Sequence, residues 1–259
     1  MFGTYIGNNK MLVKLAYEGM LMVSADDLSL MPSLVTNGYI EYPLTNYFIN
    51  EVKSGDTVVD IGTNVGYFTL LAGKLVGNQG KVIGFEANTN VFSLLEDNIA
   101  MNWLTEQIAV YNKAVYSENT TLKLKISNKF QGDSTLKKNS LLNDADNILL
   151  NVEAISLDSE LNHLKQIDVL KIDIEGGEYH AFLGMMDMIK LKKIKRIVFE
   201  WNKKMLGDEV EPFAELLKEI LYSYDGLLYT LNNKGEPLPT TIETLTSIDF
   251  YPFALIEII

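Results

Sequence analysis

The sequence predicts an α/β protein with a seven-stranded mixed sheet and helices on both faces of that sheet. Strand patterns alternate with helical patterns along the middle of the 259-residue chain, as is typical of parallel βαβ units. The last two strand patterns, GLLYTLN and FALIEI, follow one another without an evident helix. Because parallel neighbours need a crossover, the last strand is expected to be antiparallel. An apolar fraction of 47% is sufficient for a large core.

Residues 1–50 are expected to form an extension that packs on the core, and residues 51–259 are expected to form the main domain. The stretch MLVKLAYEGMLMV indicates a small β-hairpin that turns at Glu18 and Gly19. Pro43 favours the start of a helix over LTNYFINEVKSG, and Gly55 lies beyond the end of that helix.

The main domain is expected to begin with three strands separated by two helices. The strand patterns are TVVDIG, KVIGFE and IAVYNKAV, and the helices between them are YFTLLAGKLVG and TNVFSLLEDNIAMNW. Asn88 or Thr89 is the expected N-cap of the second helix, because either side chain can accept a hydrogen bond from a backbone amide. Further along the chain the alternation continues with IDVLKIDIEG, EYHAFLGMMDMI, RIVFEW and EPFAELLKEILYSY.

An insertion at about residues 127–150 interrupts the alternation. TLKLKI and ILLNVEAI on its two sides have strand character, whereas the sequence between them is polar and poorly periodic. A loop of that length is usually a lid, a binding loop or disordered. We expect it to cover a substrate pocket to which Ser134 belongs, and we expect residues 138–146 to be mobile.

Charge and composition exclude several classes of protein. The chain has 34 acidic and 22 basic residues and a net charge of −12, so no nucleic-acid partner is expected. Without cysteine there is no thiolate catalysis, and His163 and His180 are too few for a histidine-rich metal centre. Neither a signal-peptide pattern nor an apolar run of membrane-spanning length occurs, which predicts a cytoplasmic protein with no membrane partner.

The most informative stretch is VVDIGTNVGYFTLL, where a buried strand turns abruptly into an apolar helix. Gly62 would allow the turn and the close approach of a ligand, and Gly66 would let the helix pack closely. Asp60 can accept a hydrogen bond from a cationic amine, and Glu86, at the end of the next strand, can accept from both hydroxyls of a ribose. The alternatives are a tight turn without a ligand and an acid that merely favours a helix N-terminus.

These residues resemble the Class I S-adenosylmethionine-dependent methyltransferases and, more narrowly, the FkbM family. The resemblance extends from about Asn37 to Trp201 and depends on several motifs that occur together and in order. They are NGYIEYPLTNYF, VVDIGTNVGYFTLLA, FEANTNVFSLLEDNI, NKAVYSE, SLD, VLKIDIEGGEYHAFLGM and IVFEW. The resemblance implies a Rossmann-like fold, S-adenosylmethionine as cofactor, and methyl transfer to a hydroxyl oxygen of a small molecule or glycan.

The resemblance also implies a set of cofactor-binding positions. Those residues are Asp60, Gly62, Asn64, Gly66, Glu86, Asn88, Lys113 and Ala114. The first four match the loop around the methionine part, and Glu86 matches the acid that binds the ribose. Lys113 and Ala114 match the position beside adenine, where many relatives carry an acid. Because lysine cannot accept a hydrogen bond, adenine recognition here is expected to depend on backbone groups.

Three acids near the same sheet edge are the candidate catalytic residues. Asp173 and Glu175 lie in KIDIEGGE, and Glu200 closes the adjacent strand. Oxygen methylation needs a base for the hydroxyl proton, and a carboxylate with a raised pKa suits that role. Asp173 is our preferred base. The same oxygen ligands could hold Mg²⁺, but a metal is not favoured.

Glu41, in GYIEYP, is a further candidate at the substrate side of the site. Three other functions remain as alternatives. A nucleic-acid amine methyltransferase would need a different tetrapeptide in place of DIEG, and a non-catalytic binding module would have less reason to keep all the motifs. A nicotinamide-dependent dehydrogenase is disfavoured because G-x-x-x-G replaces G-x-G-x-x-G. The sequence identifies neither the methyl acceptor nor the oligomeric state.

Overall fold

The structure, a computed structural model, describes residues 2–127 and 147–259. Ser134 and the segment expected to be mobile, residues 138–146, lie outside the described residues. The described strands are β1 Gly3–Gly7, β2 Lys10–Lys14, β3 Met20–Ser24, β4 Thr57–Ile61, β5 Lys81–Phe85, β6 Ile108–Tyr111, β7 Ala114–Val115, β8 Thr120–Ser127, β9 Asn147–Ile155, β10 Val169–Ile172, β11 Arg196–Asn202, β12 Gly226–Leu231, β13 Pro237–Pro239 and β14 Phe250–Ile258.

Helices flank these strands on both faces. They are α1 Met31–Asn37, α2 Tyr42–Glu51, α3 Tyr67–Val76, α4 Thr89–Met101, α5 Leu157–Glu160, α6 Glu178–Leu183, α7 Met186–Lys190, α8 Lys203–Leu206, α9 Val210–Ser223 and α10 Ile242–Ser247, with short 3₁₀ turns at Gly77–Gln79 and Gly207–Glu209. Within the described residues, no helix combines the length and apolar character that a membrane crossing requires.

The main sheet has the strand order β13-β12-β14-β11-β10-β4-β5-β6. Strands β6, β5, β4, β10 and β11 are mutually parallel, and β14 is antiparallel to both of its neighbours. This arrangement confirms the predicted fold class and the predicted antiparallel last strand. Val59 and Leu170 contribute to an apolar core on one face of the sheet, and Val58 and Val169 contribute to a second core on the other.

The sheet has eight described strands rather than the predicted seven, because β13 pairs with β12 at the edge. Pro237 and Pro239 lack the amide that an interior strand needs, which explains both the edge position and the missing strand pattern. The expectation that no helix precedes the last strand was also wrong. Helix α10 lies there and begins where the Thr241 hydroxyl accepts from the amide of Thr244 at 3.2 Å.

The predicted third strand, IAVYNKAV, is two strands in different sheets. β6 belongs to the main sheet, whereas β7 pairs with β9 in a separate three-stranded sheet of order β7-β9-β8. The division falls at Asn112, whose side-chain amide donates to the carbonyl oxygen of Glu86 at 2.8 Å. This side-chain bond replaces strand pairing, so the chain turns away from the main sheet just beyond Tyr111.

The predicted N-terminal hairpin is present as β2 and β3, which pair from Lys14↔Met20 to Lys10↔Ser24. Strand β1, which was not predicted, extends it to three strands, and α1 follows. Asn98 of α4 and Asn102, the residue that follows the end of α4, hold the backbone of β3. Asn98 donates to the carbonyl oxygen of Met22 at 2.9 Å, and Asn102 donates to that of Met20 at 2.6 Å. The sheet is therefore fixed against the helix that follows Glu86.

Candidate active site

The turn between β4 and α3 adopts the backbone conformation that its glycines permit. Gly62 has φ +79°, and a Cβ at this position would overlap the carbonyl oxygen of Asp173. Gly66 has φ +98°, and a Cβ there would lie 2.6 Å from Leu95 Cδ1. Both values lie in the left-handed region that glycine tolerates. Gly62 thus lets the loop after β10 approach the turn, and Gly66 lets α3 approach α4.

Glu86 is fixed at the end of β5 by two backbone amides. Its Oε2 accepts from the amide of Asn64 at 2.9 Å, and its Oε1 accepts from the amide of Asn88 at 2.7 Å. Burial raises the pKa of Glu86 to about 7, although the two amides act in the opposite direction. The carboxylate is therefore held in one orientation before any ligand arrives.

A cavity at this sheet edge, which we call the Glu86 cavity, is formed by the ends of β4, β5 and β10 and by β7. The candidate cofactor residues that line it are Gly62, Asn64, Glu86, Lys113 and Ala114. Asp60, Gly66 and Asn88 are not among its lining residues. Asn88 is buried and caps α4, because its side-chain oxygen accepts from the amide of Asn90 at 3.1 Å.

Lys113 reaches the Glu86 cavity but its ammonium is already paired. The Nζ atom lies 3.1 Å from an oxygen of Glu153 and 3.3 Å from an oxygen of Glu160. Partial burial opposes the charge of Lys113, but these two acids outweigh it and raise the pKa. The ammonium is therefore occupied by protein carboxylates, while the backbone of Lys113 and Ala114 stays beside the cavity.

A second cavity, the acidic cavity, adjoins the first one. It is lined by Glu41, Leu44, Lys171, Ile172, Asp173, Glu175, Val198, Phe199, Glu200, Phe250, Pro252 and Phe253. Oxygens of Asp173, Glu175 and Glu200 lie within 4.8 Å of one another, so the three predicted acids converge. Asp173 and Glu175 line both cavities, which places the acids at the boundary between them. Glu41 enters from the N-terminal segment.

The chain itself supplies a cation to this acidic cluster. Lys171 is 3% exposed, and its Nζ atom lies 3.3 Å from Asp173 Oδ2 and 3.4 Å from Asp60 Oδ1. The same atom lies 5.3 Å from the ring centre of Phe68. Burial opposes the charge of Lys171, but the surrounding carboxylates, Asp173 first, outweigh burial and raise its pKa. Lys171 is thus a permanent cation in the site.

Sequence reasoning did not assign a role to Lys171, although a signal was present. The other three residues of VLKI are apolar and buried, so a charged side chain in that strand requires a partner. Lys171 precedes Asp173 by two positions, and side chains two apart in a strand project from the same face.

Two acids of the acidic cavity, Glu41 and Glu200, hold protons more tightly than ordinary carboxyls. Burial, followed by repulsion from Asp173, raises the pKa of Glu41 to about 8 and that of Glu200 to about 7. Behind them, Glu178 is 2% exposed, and burial raises its pKa to about 8. Its position as the first residue of α6 concealed this burial in the sequence. Near neutral pH the cluster therefore carries fewer charges than its number of carboxyls suggests.

The two histidines lie outside the lining of both cavities. His163 is exposed. The ring of His180 stacks on Tyr116 with a centroid distance of 4.1 Å and contacts the hydroxyl of Ser117 and a carboxylate oxygen of Glu209 at 3.1 and 3.0 Å. His180 therefore packs α6 against neighbouring segments.

Comparison with known proteins gives a consistent result. The sequence model of the Methyltransferase FkbM domain matches residues 60–229. Methyltransferase sdnD of Sordaria araneosa is 26% identical over 197 residues, which cover 65% of this chain and 75% of that protein. Methyltransferase 1 of Beauveria bassiana (strain ARSEF 2860) is 26% identical over 147 residues, which cover 50% of this chain and 58% of that protein.

Among solved structures, one described as a candidate rRNA-methylase from Clostridium thermocellum superposes with a TM-score of 0.51 and 13% identity. The match covers 85% of this chain and 98% of that chain. At this level of identity the similarity shows a shared Rossmann-like fold and gives no information on the substrate.

Proposed function

The chain belongs to the FkbM family of S-adenosylmethionine-dependent methyltransferases, and we propose that it methylates a hydroxyl oxygen of a small molecule or glycan. The family match covers residues 60–229, which contain both the Glu86 cavity and most of the acidic cavity. The proposal adds the chemistry of the acceptor to the activity that the family defines. The observation that carries it is the cluster of carboxylates at the boundary between the two cavities.

The Glu86 cavity fits S-adenosylmethionine. Gly62 leaves no side chain between the turn and the cavity, and Glu86 presents a fixed carboxylate to which two ribose hydroxyls can donate. Gly62 and Asn64 would lie against the methionine part, and backbone groups of Lys113 and Ala114 would lie beside adenine. Asp60 would act from below the turn, through Thr69 and Lys171, since it is 1% exposed.

When bound, S-adenosylmethionine supplies a methyl group activated by a sulfonium. The protein must then orient the acceptor hydroxyl and take up its proton as the new bond forms. Asp173 is the proposed base because it lines both cavities, so it can meet a hydroxyl that enters from the acidic cavity. Glu200, whose pKa lies at about 7, and Glu175 would support it as neighbouring hydrogen-bonding groups. Glu41 would contact the acceptor.

The acidic cavity favours hydroxyl acceptors over amines. An amine can accept a methyl group only in its neutral form, because the ammonium form has no free lone pair. A cluster of carboxylates stabilises the ammonium form and would therefore slow transfer to nitrogen. The net charge of −12 and the same carboxylates also oppose the approach of a nucleic acid.

We assign no metal to the three acids. Lys171 already brings a positive charge to Asp173 at 3.3 Å, which lowers the need for a divalent ion. Methyl transfer is therefore expected to continue in EDTA. Loss of activity in EDTA, with recovery on addition of Mg²⁺, would instead make the acids metal ligands.

The test is a transfer screen with methyl-tritiated S-adenosylmethionine and a panel of hydroxylated metabolites and glycans, beside amines, carboxylic acids and RNA. We expect a labelled product whose methyl group survives alkaline hydrolysis, as an ether does and an ester does not, and mass spectrometry would place the methyl group on oxygen. Transfer to amines or RNA alone would contradict the proposal. Cofactor binding with no transfer across the panel would favour a binding module.

A further inference from the structure

Lys171 lies between Asp60, below the turn after β4, and Asp173, at the boundary between the two cavities. In the parallel pairing of β10 with β4, Lys171 is the direct partner of Asp60, so their side chains leave the same face on adjacent strands. Asp173 projects from that face two residues further on. The ammonium therefore lies between one acid below the turn and one acid at the boundary between the cavities, at 3.4 and 3.3 Å.

Asp60 is itself anchored from the opposite side. Its Oδ2 accepts from the hydroxyl of Thr69, which is fully buried in α3, at 2.6 Å. A continuous set of polar contacts thus runs from Thr69 through Asp60 and Lys171 to Asp173. Each of the first three groups is at most 3% exposed, whereas the Asp173 side chain is 34% exposed. The inner groups are buried, and the outer carboxylate is the most exposed of the four.

A buried charge is costly unless it is paired. The buried ammonium of Lys171 therefore favours the side-chain orientations of Asp60 and Asp173 that keep both carboxylates in contact with it. Without the ammonium, the Asp173 side chain would have no fixed cationic partner on its inner side and could rotate toward Glu175 or Glu200. Proton transfer depends steeply on the position of the base, and displacement by about 1 Å can cost about 100-fold in rate.

We propose that Lys171 is a positioning residue for methyl transfer, which holds the Asp173 carboxylate at the boundary between the cofactor side and the acceptor side. This inference rests on the proposed function, because it assumes that Asp173 meets the acceptor hydroxyl. Asp60 acts as the inner anchor of Lys171. Loss of Lys171 should therefore slow the chemical step more than it weakens cofactor binding.

The kinetic test compares Lys171→Met and Lys171→Arg with a matched control, Lys195→Met. Lys195 also pairs with an aspartate, Asp168, at 2.8 Å, but this pair lies at the opposite end of the strands. With the hydroxylated compound that gives the highest transfer in the screen, Lys171→Met should lower kcat about 10- to 100-fold. The KM for S-adenosylmethionine and the Kd of S-adenosylhomocysteine should change by less than about 3-fold. Lys171→Arg should recover part of the loss, because it restores the positive charge.

Two kinetic outcomes would overturn the inference. Equal effects of Lys171→Met and Lys195→Met would mean that any lysine–aspartate pair matters to the same extent. A parallel fall of kcat and of S-adenosylhomocysteine affinity in Lys171→Met would show that the residue supports the scaffold as a whole. Thermal unfolding of each variant separates both outcomes from a failure to fold.

A second measurement does not depend on any acceptor. The side-chain ammonium resonance of Lys171 can be observed in protein labelled with isotopic lysine and identified by its absence in Lys171→Arg. Asp173→Asn and Asp60→Asn should each shift this resonance, with S-adenosylhomocysteine bound, whereas Asp187→Asn, an exposed substitution, should not. A shift in Asp60→Asn but not in Asp173→Asn would overturn the positioning role, even if the screen had found a hydroxyl acceptor. If the screen finds none while both shifts occur, the proposed function fails and the anchoring of Asp173 by Lys171 stands.

Discussion

The Glu86 cavity and the acidic cavity both contain carboxylates, but the surroundings of these carboxylates differ. In the first, the carboxylate of Glu86 accepts from two backbone amides, so its orientation is set by main-chain geometry. In the second, oxygens of Asp173, Glu175 and Glu200 lie within 4.8 Å of one another, and Lys171, which pairs with Asp173, is the one cationic side chain among the described residues that line the cavity. A cavity of the first kind suits a ligand that is always the same. A cavity of the second kind suits a step in which a carboxylate must take up a proton.

The largest expected effect comes from filling the space that the turn leaves bare. In Gly62→Ala the added methyl group would overlap the carbonyl oxygen of Asp173 and would stand at φ +79°. The two penalties together should lower the free energy of unfolding by about 4 kcal/mol or more, measured by denaturant titration. Gly55→Ala is the matched control, because Gly55 has φ +90° with no atom within 4 Å of the added carbon. That variant should lose only about 1–2 kcal/mol. Equal losses would mean that the close approach of Asp173 is unimportant.

The second largest expected effect is the loss of cofactor affinity when the Glu86 carboxylate is removed. Glu86→Ala loses charge-assisted hydrogen bonds of about 1.5–3 kcal/mol, which corresponds to about 10- to 150-fold weaker binding. Calorimetric titration with S-adenosylhomocysteine measures the change. Glu96→Ala, in the middle of α4 and exposed, provides the control. An unchanged affinity in Glu86→Ala would show that Glu86 does not bind the ribose.

Cofactor affinity should also depend on pH through Glu86. Its pKa in the free protein lies at about 7, and only the ionised form, which is scarce below that value, can accept strong hydrogen bonds from both ribose hydroxyls. Between about pH 6 and about pH 8 the ionised fraction rises from about one tenth to about nine tenths, so affinity should increase about 10-fold. Glu86→Gln should bind more weakly and with little pH dependence over this range. The same slope in Glu86→Gln would assign the titration to another group.

The smallest expected effect concerns Glu41 in the acidic cavity and the dependence of the protein's stability on pH. The pKa of Glu41 is raised from its ordinary value of 4.5 to about 8 in the folded protein. A raised carboxyl pKa stabilises the folded state fully below pH 4.5, and this contribution is lost as pH rises to about 8, because the folded state binds the proton more tightly. Glu41→Gln removes the titration and should be more stable than the wild type at about pH 9, by about 1–2 kcal/mol after allowance for partial exposure. Thermal unfolding at about pH 5 and about pH 9 gives the comparison. A wild-type melting temperature that rises over this range relative to Glu41→Gln would contradict it.

The same contrast explains how much could be predicted from the sequence. Gly62 and Glu86 belong to local patterns, a bare turn after a strand and an acid at the end of the next, and these patterns also gave the order of strands and helices. Convergence of Asp173 with Glu200 followed from parallel strands that share a sheet edge, although Glu200 lies two residues before the end of β11 rather than at its predicted end. These are short-range signals, and parallel topology converts them into a shared location.

Features that depend on a side chain's partner were not predictable. Glu178 is buried because residues distant in sequence surround it, and nothing in its immediate neighbourhood indicates the sign of its pKa shift. For Lys171 the sequence indicates one partner, Asp173, but not the second partner, Asp60. The division of IAVYNKAV depends on the hydrogen bond from Asn112 to Glu86, and β13 depends on an edge that tolerates proline. Asp60 lies at a predicted position, but its contacts with Thr69 and Lys171 could be known only from the structure.

The most direct test of the two-sided site is the Asp173→Asn variant, assayed both for methyl transfer and for binding of S-adenosylhomocysteine. The amide keeps the size of the side chain but cannot take up a proton, so turnover should fall about 10²- to 10⁴-fold. Affinity for S-adenosylhomocysteine should stay within about 3-fold of the wild type, because the cofactor is held by the Glu86 cavity. Asp187→Asn, which changes an exposed aspartate in the same way, should leave both quantities unchanged. Full turnover in Asp173→Asn, or a loss of affinity that matches the loss of turnover, would contradict the division of the site into a cofactor side and a proton-accepting side.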